Sequence, residues 1–519
     1  MKNRKSVLLV LILSLGIFAC NLPALTATPP LFAPVNIPKP TSKINVSIPS
    51  EPALTPTLGT ISYQPTFEPA PCAFPVPSGY SPECGYLIVP ENRARPDTQF
   101  ISLHLGIFRN RSGIPNLDPV VKLSGGPGSS GLNTAGYLLG KGMDAVLEQR
   151  DFIVFDQRGT GYSRPRLDCP ERAAITPLLL GGRLSVEESE QAIIDSFHRC
   201  RDRLIAEGID LSAYNSAASA ADLNDLRLVL GYDKLNLYAI SYGTRLALTL
   251  MRDHPHVVRS AVLDSVYPLQ VNLYTALAPN AERAFNVFFD HCAADPNCSF
   301  NYPDLRTVFY GLVDELNTHP VWVSTYIESD NQNVRLDGGL LIDVLFVGLY
   351  NPSVTASMPQ MIYDIRDGDY DILRERLALY FDASPALGMQ MAVQCSEEFP
   401  FNGPEEAYAA AQGIQSQIAA FFPDSVQPLF AVCREWNVTP PDPRENLAVS
   451  SDLPTLVLAG EGDPITPPDW GRMVAADLSN AYFYEFPANG HWVARSSNCA
   501  VLIALAFWEN PTLDPGYIC

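Results

Sequence analysis

The sequence predicts a chain of the α/β class, a mostly parallel sheet flanked by helices and interrupted by a mainly helical cap. Three observations carry that expectation. Short β-rich runs alternate with helical ones between residues 71 and 266, strand signals thin out from 267 to 440, and they return between 441 and 519.

In the first stretch the strand candidates are Tyr86 to Val89, Phe100 to Phe108, Val120 to Leu123, Phe152 to Phe155, Leu235 to Ala239 and Val258 to Leu263. Each is short and mostly apolar or β-forming, as strands covered on both faces are. Between them lie helical patterns such as Ala218 to Leu230, with Leu223, Leu226, Val229 and Leu230 on one face. The middle stretch spaces its apolar residues as helices do, for example Leu305, Val308, Phe309, Leu312, Val313 and Leu316. Strand signals resume at Thr455 to Ala459 and Ala481 to Phe486, and a closing helix is expected from Ala500 to Trp508.

At 519 residues with 47% hydrophobic and 18% charged content, the chain can bury a full core. Its formal charge of -21 repels phosphate backbones and anionic membrane surfaces, which argues against a nucleic-acid partner. Lys2, Arg4 and Lys5 precede an apolar run from Ser6 to Ala19 that suits a signal peptide over residues 1–19. The following Cys20 fits a lipidation site, so the chain is expected to be exported and held at the cell surface by a lipid anchor, or otherwise secreted. Residues 20–70, rich in Pro, Thr and Ser, read as a tether. The remaining ten cysteines, taken as neighbours in an exported chain, suggest the disulfides Cys72–Cys84, Cys169–Cys200, Cys292–Cys298, Cys395–Cys433 and Cys499–Cys519. No zinc-type spacing occurs, and neither a metal, a cofactor nor an obligate protein partner is expected.

The chemistry starts at Ala239-Ile-Ser241-Tyr-Gly243, where a strand pattern gives way to the helical run Thr244 to Met251. A serine on so sharp a turn is exposed, and small residues must flank it at two positions either side. A serine hydroxyl needs a histidine to take its proton and a carboxylate to orient that histidine. His491 follows the last strand signal, and Asp463 follows the one before it, between Gly462 and Pro464. Glu461 and Asp264 remain alternatives for the acid. Two backbone N–H groups should bind the oxyanion, one from Tyr242 and one from the glycine loop Gly125-Gly-Pro-Gly128, with Gly126 the candidate. Gly126-Pro-Gly128-Ser-Ser-Gly131 also spells a dinucleotide fingerprint, but Pro127 removes an N–H where that site needs one.

Gly125 to Gly131, Asp156-Gln-Arg-Gly-Thr-Gly-Tyr-Ser163, Ala239 to Thr244, Gly462-Asp463 and Gly490-His491 together resemble the prolyl and tripeptidyl aminopeptidases of the α/β-hydrolase superfamily, closest to their exported branch. Ala239 departs from the usual first glycine of the turn. The resemblance implies an exported serine aminopeptidase that releases short peptides or single residues from free N-termini of peptide substrates. An esterase or amidase with the same triad is the alternative, because fold does not fix substrate. An aminopeptidase must hold an ammonium group, and Glu397 and Glu398 beside Cys395 are the candidates, although the pair reads equally as a solvated acidic turn. Asp156 and Arg158 are expected to pair and brace the loop behind the oxyanion hole.

Overall fold

The computed structural model describes residues 63–113, 117–327, 330–381 and 385–516. The expected signal peptide, Cys20 and most of the tether lie outside the described residues. Among the described residues nine strands form one sheet: β1 (Thr66–Pro69), β2 (Glu83–Pro90), β3 (Phe100–Phe108), β4 (Val120–Leu123), β5 (Phe152–Phe155), β6 (Leu235–Ile240), β7 (Val258–Asp264), and, after the cap and its own two strands, β10 (Thr455–Gly460) and β11 (Ala481–Phe486). Their order is β1-β2-β3-β5-β4-β6-β7-β10-β11. The six from β5 to β11 run parallel, and β1 to β3 add an antiparallel edge.

That order follows from the sequence patterns. β4, β5, β6 and β10 are buried along their whole length, so mostly apolar runs fill them, and the buried Lys122 and Asn236 among them are hydrogen-bonded, to Ser124 and Thr134 and to the Asp118 and Pro119 carbonyls. The helix Ser216–Leu230 starts where the Asn215 side chain accepts from the Ala218 N–H and ends at Gly231, whose φ of 75° few other residues adopt. Ala220, Leu223 and Leu226 on that helix pack with Leu237 and Ala239 of β6 in one core layer. The order in which strands are added to the sheet reverses at β4, which has β5 on one side and β6 on the other. Open parallel sheets place their sites at such a switch point.

The cap is mainly helical, including Leu273–Ala294, Leu305–Thr318, Gly338–Gly348, Leu387–Glu397 and Ser416–Arg434. It also holds an unexpected antiparallel hairpin, β8 (Val321–Ile327) with β9 (Asp330–Leu336). The β8 run Val-Trp-Val-Ser-Thr-Tyr-Ile is β-branched and aromatic, and alternation buries Val323 while leaving Trp322 and Tyr326 exposed.

A second correction concerns the tether, which ends earlier than residue 70. Thr66–Pro69 pairs with Ile88 to Gly85 of β2. Its proline is tolerated because β1 is an edge strand, and Phe67 packs against the core. Four disulfides join the neighbouring cysteines as expected, Cys72–Cys84, Cys169–Cys200, Cys292–Cys298 and Cys395–Cys433. Cys499 is also disulfide-bonded, and Cys519 lies outside the described residues.

Candidate active site

Ser241 occupies the turn between β6 and the helix Tyr242–Asp253, with φ 55° and ψ -126°. A non-glycine residue in that region is strained and persists only where its neighbours hold it. They do so here: the Ser241 N–H donates to the Asp264 carbonyl at 3.1 Å, and its own carbonyl accepts from the Thr244 N–H and hydroxyl at 2.8 and 2.6 Å. Glycine at 243 is obligatory, because a Cβ there would lie 2.3 Å from the Leu123 carbonyl oxygen. Neighbouring β4 brings its glycine loop to the same place, so a Cβ on Gly125 would sit 2.9 Å from the Ser241 Cβ.

Asp463 and His491 meet because β10 and β11 are adjacent and parallel, which sets their following loops side by side. His491 Nδ1 lies 2.8 Å from Asp463 Oδ2, and both residues are buried. Asp463 Oδ1 accepts from the Ile465 and Thr466 N–H groups, and its Oδ2 accepts from the Thr466 hydroxyl at 2.7 Å. Burial alone would raise this carboxyl, but His491 and the Thr466 donors hold it below the ordinary carboxylate range. Thr466, whose Oγ1 is also 3.0 Å from His491 Nδ1, escaped the sequence reading. Its signal was present in Asp463-Pro-Ile-Thr466, where an aspartate can bond the backbone two and three residues on.

The alternative acids take other partners. Asp264 accepts from the Val493 and Ala494 N–H groups at 2.7 and 3.0 Å, which pins the chain just after the histidine. Burial pushes its carboxyl up to about 6. Glu461 accepts from the Ala488 N–H and pairs with His291 of the cap at 3.3 Å.

Gly126 and Ser241 line one pocket, and Tyr242 is the first residue of its helix, where the N–H has no intrahelical acceptor. Behind the glycine loop, Asp156 accepts from the Ser130 hydroxyl and the Leu132 and Tyr162 N–H groups. The expected Asp156–Arg158 pair is absent. Arg158 instead clasps Asp222 with Nε and Nη2, at 2.8 and 2.7 Å, and bonds the Glu91 and Ala213 carbonyls. A fully buried guanidinium needs a carboxylate, and Asp156 is already occupied.

The pocket above Ser241 is walled by Tyr267, Tyr274, Tyr350, Gln390, Gln394 and Thr466, with leucine and isoleucine side chains between them. Glu397 and Glu398 are not solvated, at 3% and 2% exposure, and neither side chain lines the pocket. Glu397 accepts from the Ser216 N–H and hydroxyl and from Arg245 Nε. Glu398 accepts from the Tyr267 hydroxyl and the Leu273 N–H, so it reaches the pocket only through those two residues.

Comparison with known proteins agrees with this geometry. Residues 118–494 match the model of the alpha/beta hydrolase fold family. Serine protease Hip1 of Mycobacterium tuberculosis is 26% identical over 469 residues, covering 83% of this chain and 86% of that protein. Tripeptidyl aminopeptidase of Streptomyces lividans is 31% identical over 200 residues, 36% of this chain and 35% of that protein. With its parallel sheet, its serine turn after β6 and a family match over most of its length, the chain belongs to the α/β-hydrolase fold family and is a serine hydrolase.

Proposed function

We propose that this chain is an exported serine aminopeptidase acting through an acyl-enzyme on Ser241. The observation that carries the reading is the buried 2.8 Å contact of His491 Nδ1 with Asp463, which supplies an oriented base for a serine presented at a strained strand-to-helix turn. Ser241 Oγ attacks the scissile carbonyl carbon and its proton passes to His491 Nε2. Asp463 keeps the Nδ1–H tautomer and stabilises the imidazolium. The Tyr242 and Gly126 N–H groups receive the oxyanion, the leaving amine takes the proton from His491, and water then frees the acyl group.

The peptide preference draws on the similarity to Hip1 and to the tripeptidyl aminopeptidase. Export draws support from the disulfides, which persist in oxidising compartments, and from the leader with Cys20 as lipid anchor. Chromogenic peptides with free and acetylated N-termini test the reading. Free-amine di- and tripeptide substrates are expected to react faster than their acetylated forms, with all activity lost in Ser241→Ala. Cleavage of simple esters alone, or equal rates for free and capped peptides, would make the chain an esterase or amidase.

A further inference from the structure

Two buried polar atoms in the pocket have no partner among the described residues, the Tyr350 hydroxyl and Gln390 Oε1. Tyr350 is 1% and Gln390 4% exposed. Buried polar atoms are rarely left unpaired, and where they line a pocket beside a nucleophile they are the polar groups that orient a ligand once it displaces water. Tyr350 stands next to the reacting centre, its ring edge-on to His491 at 4.9 Å. It is fixed there by backbone contact, since a Cβ on Gly490 would sit 2.7 Å from the Tyr350 carbonyl oxygen.

The lining carries no ionised side chain among the described residues. Glu397 and Glu398, at the end of the helix that carries Gln390, have both oxygens engaged, and Arg245 lies between them. Asp463 and Asp343, whose charges act on Tyr350, lie outside the lining, and Asp463 is held by His491 and its own turn. An ammonium seated directly against Gln390 and Tyr350 would therefore be a desolvated charge with no carboxylate in direct contact among the lining residues. A peptide unit fits instead, because it offers one N–H donor and one carbonyl acceptor. Burial holds the Tyr350 phenol well above its ordinary range, so the hydroxyl stays protonated and can donate.

We propose that Gln390 and Tyr350 form a subsite for the peptide unit preceding the scissile residue, Gln390 Oε1 accepting its N–H and the Tyr350 hydroxyl donating to its carbonyl. This rests on the peptidase reading above. It makes the enzyme a peptidyl hydrolase that disfavours single free amino acids on the acyl side, and it sets the free N-terminus at least one residue further out.

The experiment compares kcat/KM for alanine p-nitroanilide, its N-acetyl form and the di- and tri-alanine p-nitroanilides, each divided by the same enzyme's rate on p-nitrophenyl acetate. Acetylating the single-residue substrate should raise its rate about tenfold, since the cap creates the missing peptide unit. In Gln390→Leu and in Tyr350→Phe that gain should shrink toward unity. A free alanyl anilide that outruns its acetylated form, or a gain unchanged in both variants, overturns the subsite while leaving the serine peptidase intact. An enzyme that cleaves the ester and no anilide takes down both readings.

Discussion

Asp463 and Glu398 are both fully enclosed carboxyls within reach of the pocket, yet their surroundings drive them in opposite directions. Asp463 faces His491 and three donors from its own turn, and is held ionised. Glu398 receives a phenol and one N–H, and burial raises it to about 7 against the pull of Arg245. Burial alone does not settle the charge of an acid; the number and kind of donors do. The core end of the molecule is thus built to keep a charge, and the cap end to hide one.

The largest break of that contrast is at the nucleophile and its acid. Ser241→Ala should lose at least about ten-thousandfold in kcat, read on p-nitrophenyl acetate. Asp463→Asn should lose a comparable factor of roughly ten-thousandfold through the wrong histidine tautomer, whereas Asp264→Asn, whose side chain accepts from the Val493 and Ala494 N–H groups and the Tyr238 and Ser265 hydroxyls rather than from His491, should lose far less. Equal losses for both aspartates would show that the charge itself is not what matters.

On the cap side, Arg245→Met strands Glu397 without its cation and should cost roughly 3 to 5 kcal/mol, measured by urea denaturation. A smaller effect separates the acids by sign. Glu398 binds its proton more tightly folded than unfolded, so its contribution is complete below its ordinary 4.5 and is lost as pH rises to about 7. Glu398→Gln should remove most of that decline, at most roughly 3 kcal/mol between pH 4.5 and 7. A variant whose urea midpoint falls with pH as steeply as the parent's would place the proton elsewhere. Asp463 works the other way, stabilising above its ordinary 3.8 and losing that support as pH falls. Smallest, Thr466→Val removes one hydroxyl from Asp463 and should lower kcat about tenfold with KM little changed.

The sheet, and the placing of Ser241, Asp463 and His491 at the ends of its strands, were legible in the sequence because each depends on local pattern. β6 is a mostly apolar β-forming run, Ser241 needs small neighbours, and Asp463 and His491 sit in the loops that follow strands. What the sequence hid depends on long-range partnership. Arg158 could have met Asp156, two residues away, but folding brings it Asp222. Thr66–Pro69 looked like more of a proline-rich tether until β2 offered it an edge to pair with. Glu397 and Glu398 read as a solvated turn or an amine anchor, and only the placement of Arg245, Ser216 and Tyr267 around them shows two enclosed acids.

The helix Leu387–Glu397 carries Gln390 and Gln394 into the pocket, and Ala386 just before it donates to the Gly128 carbonyl of the glycine loop. Its far end meets Arg245, on the helix that begins after Ser241, and Cys395 ties it to Cys433. A rod clamped at both ends cannot be tilted to suit a new substrate without disturbing the groups that do the chemistry. Retuning this enzyme is therefore a matter of exchanging side chains along a fixed ruler, one helical turn at a time, and a directed library confined to 390 and 394 would explore selectivity while leaving the reaction machinery in register.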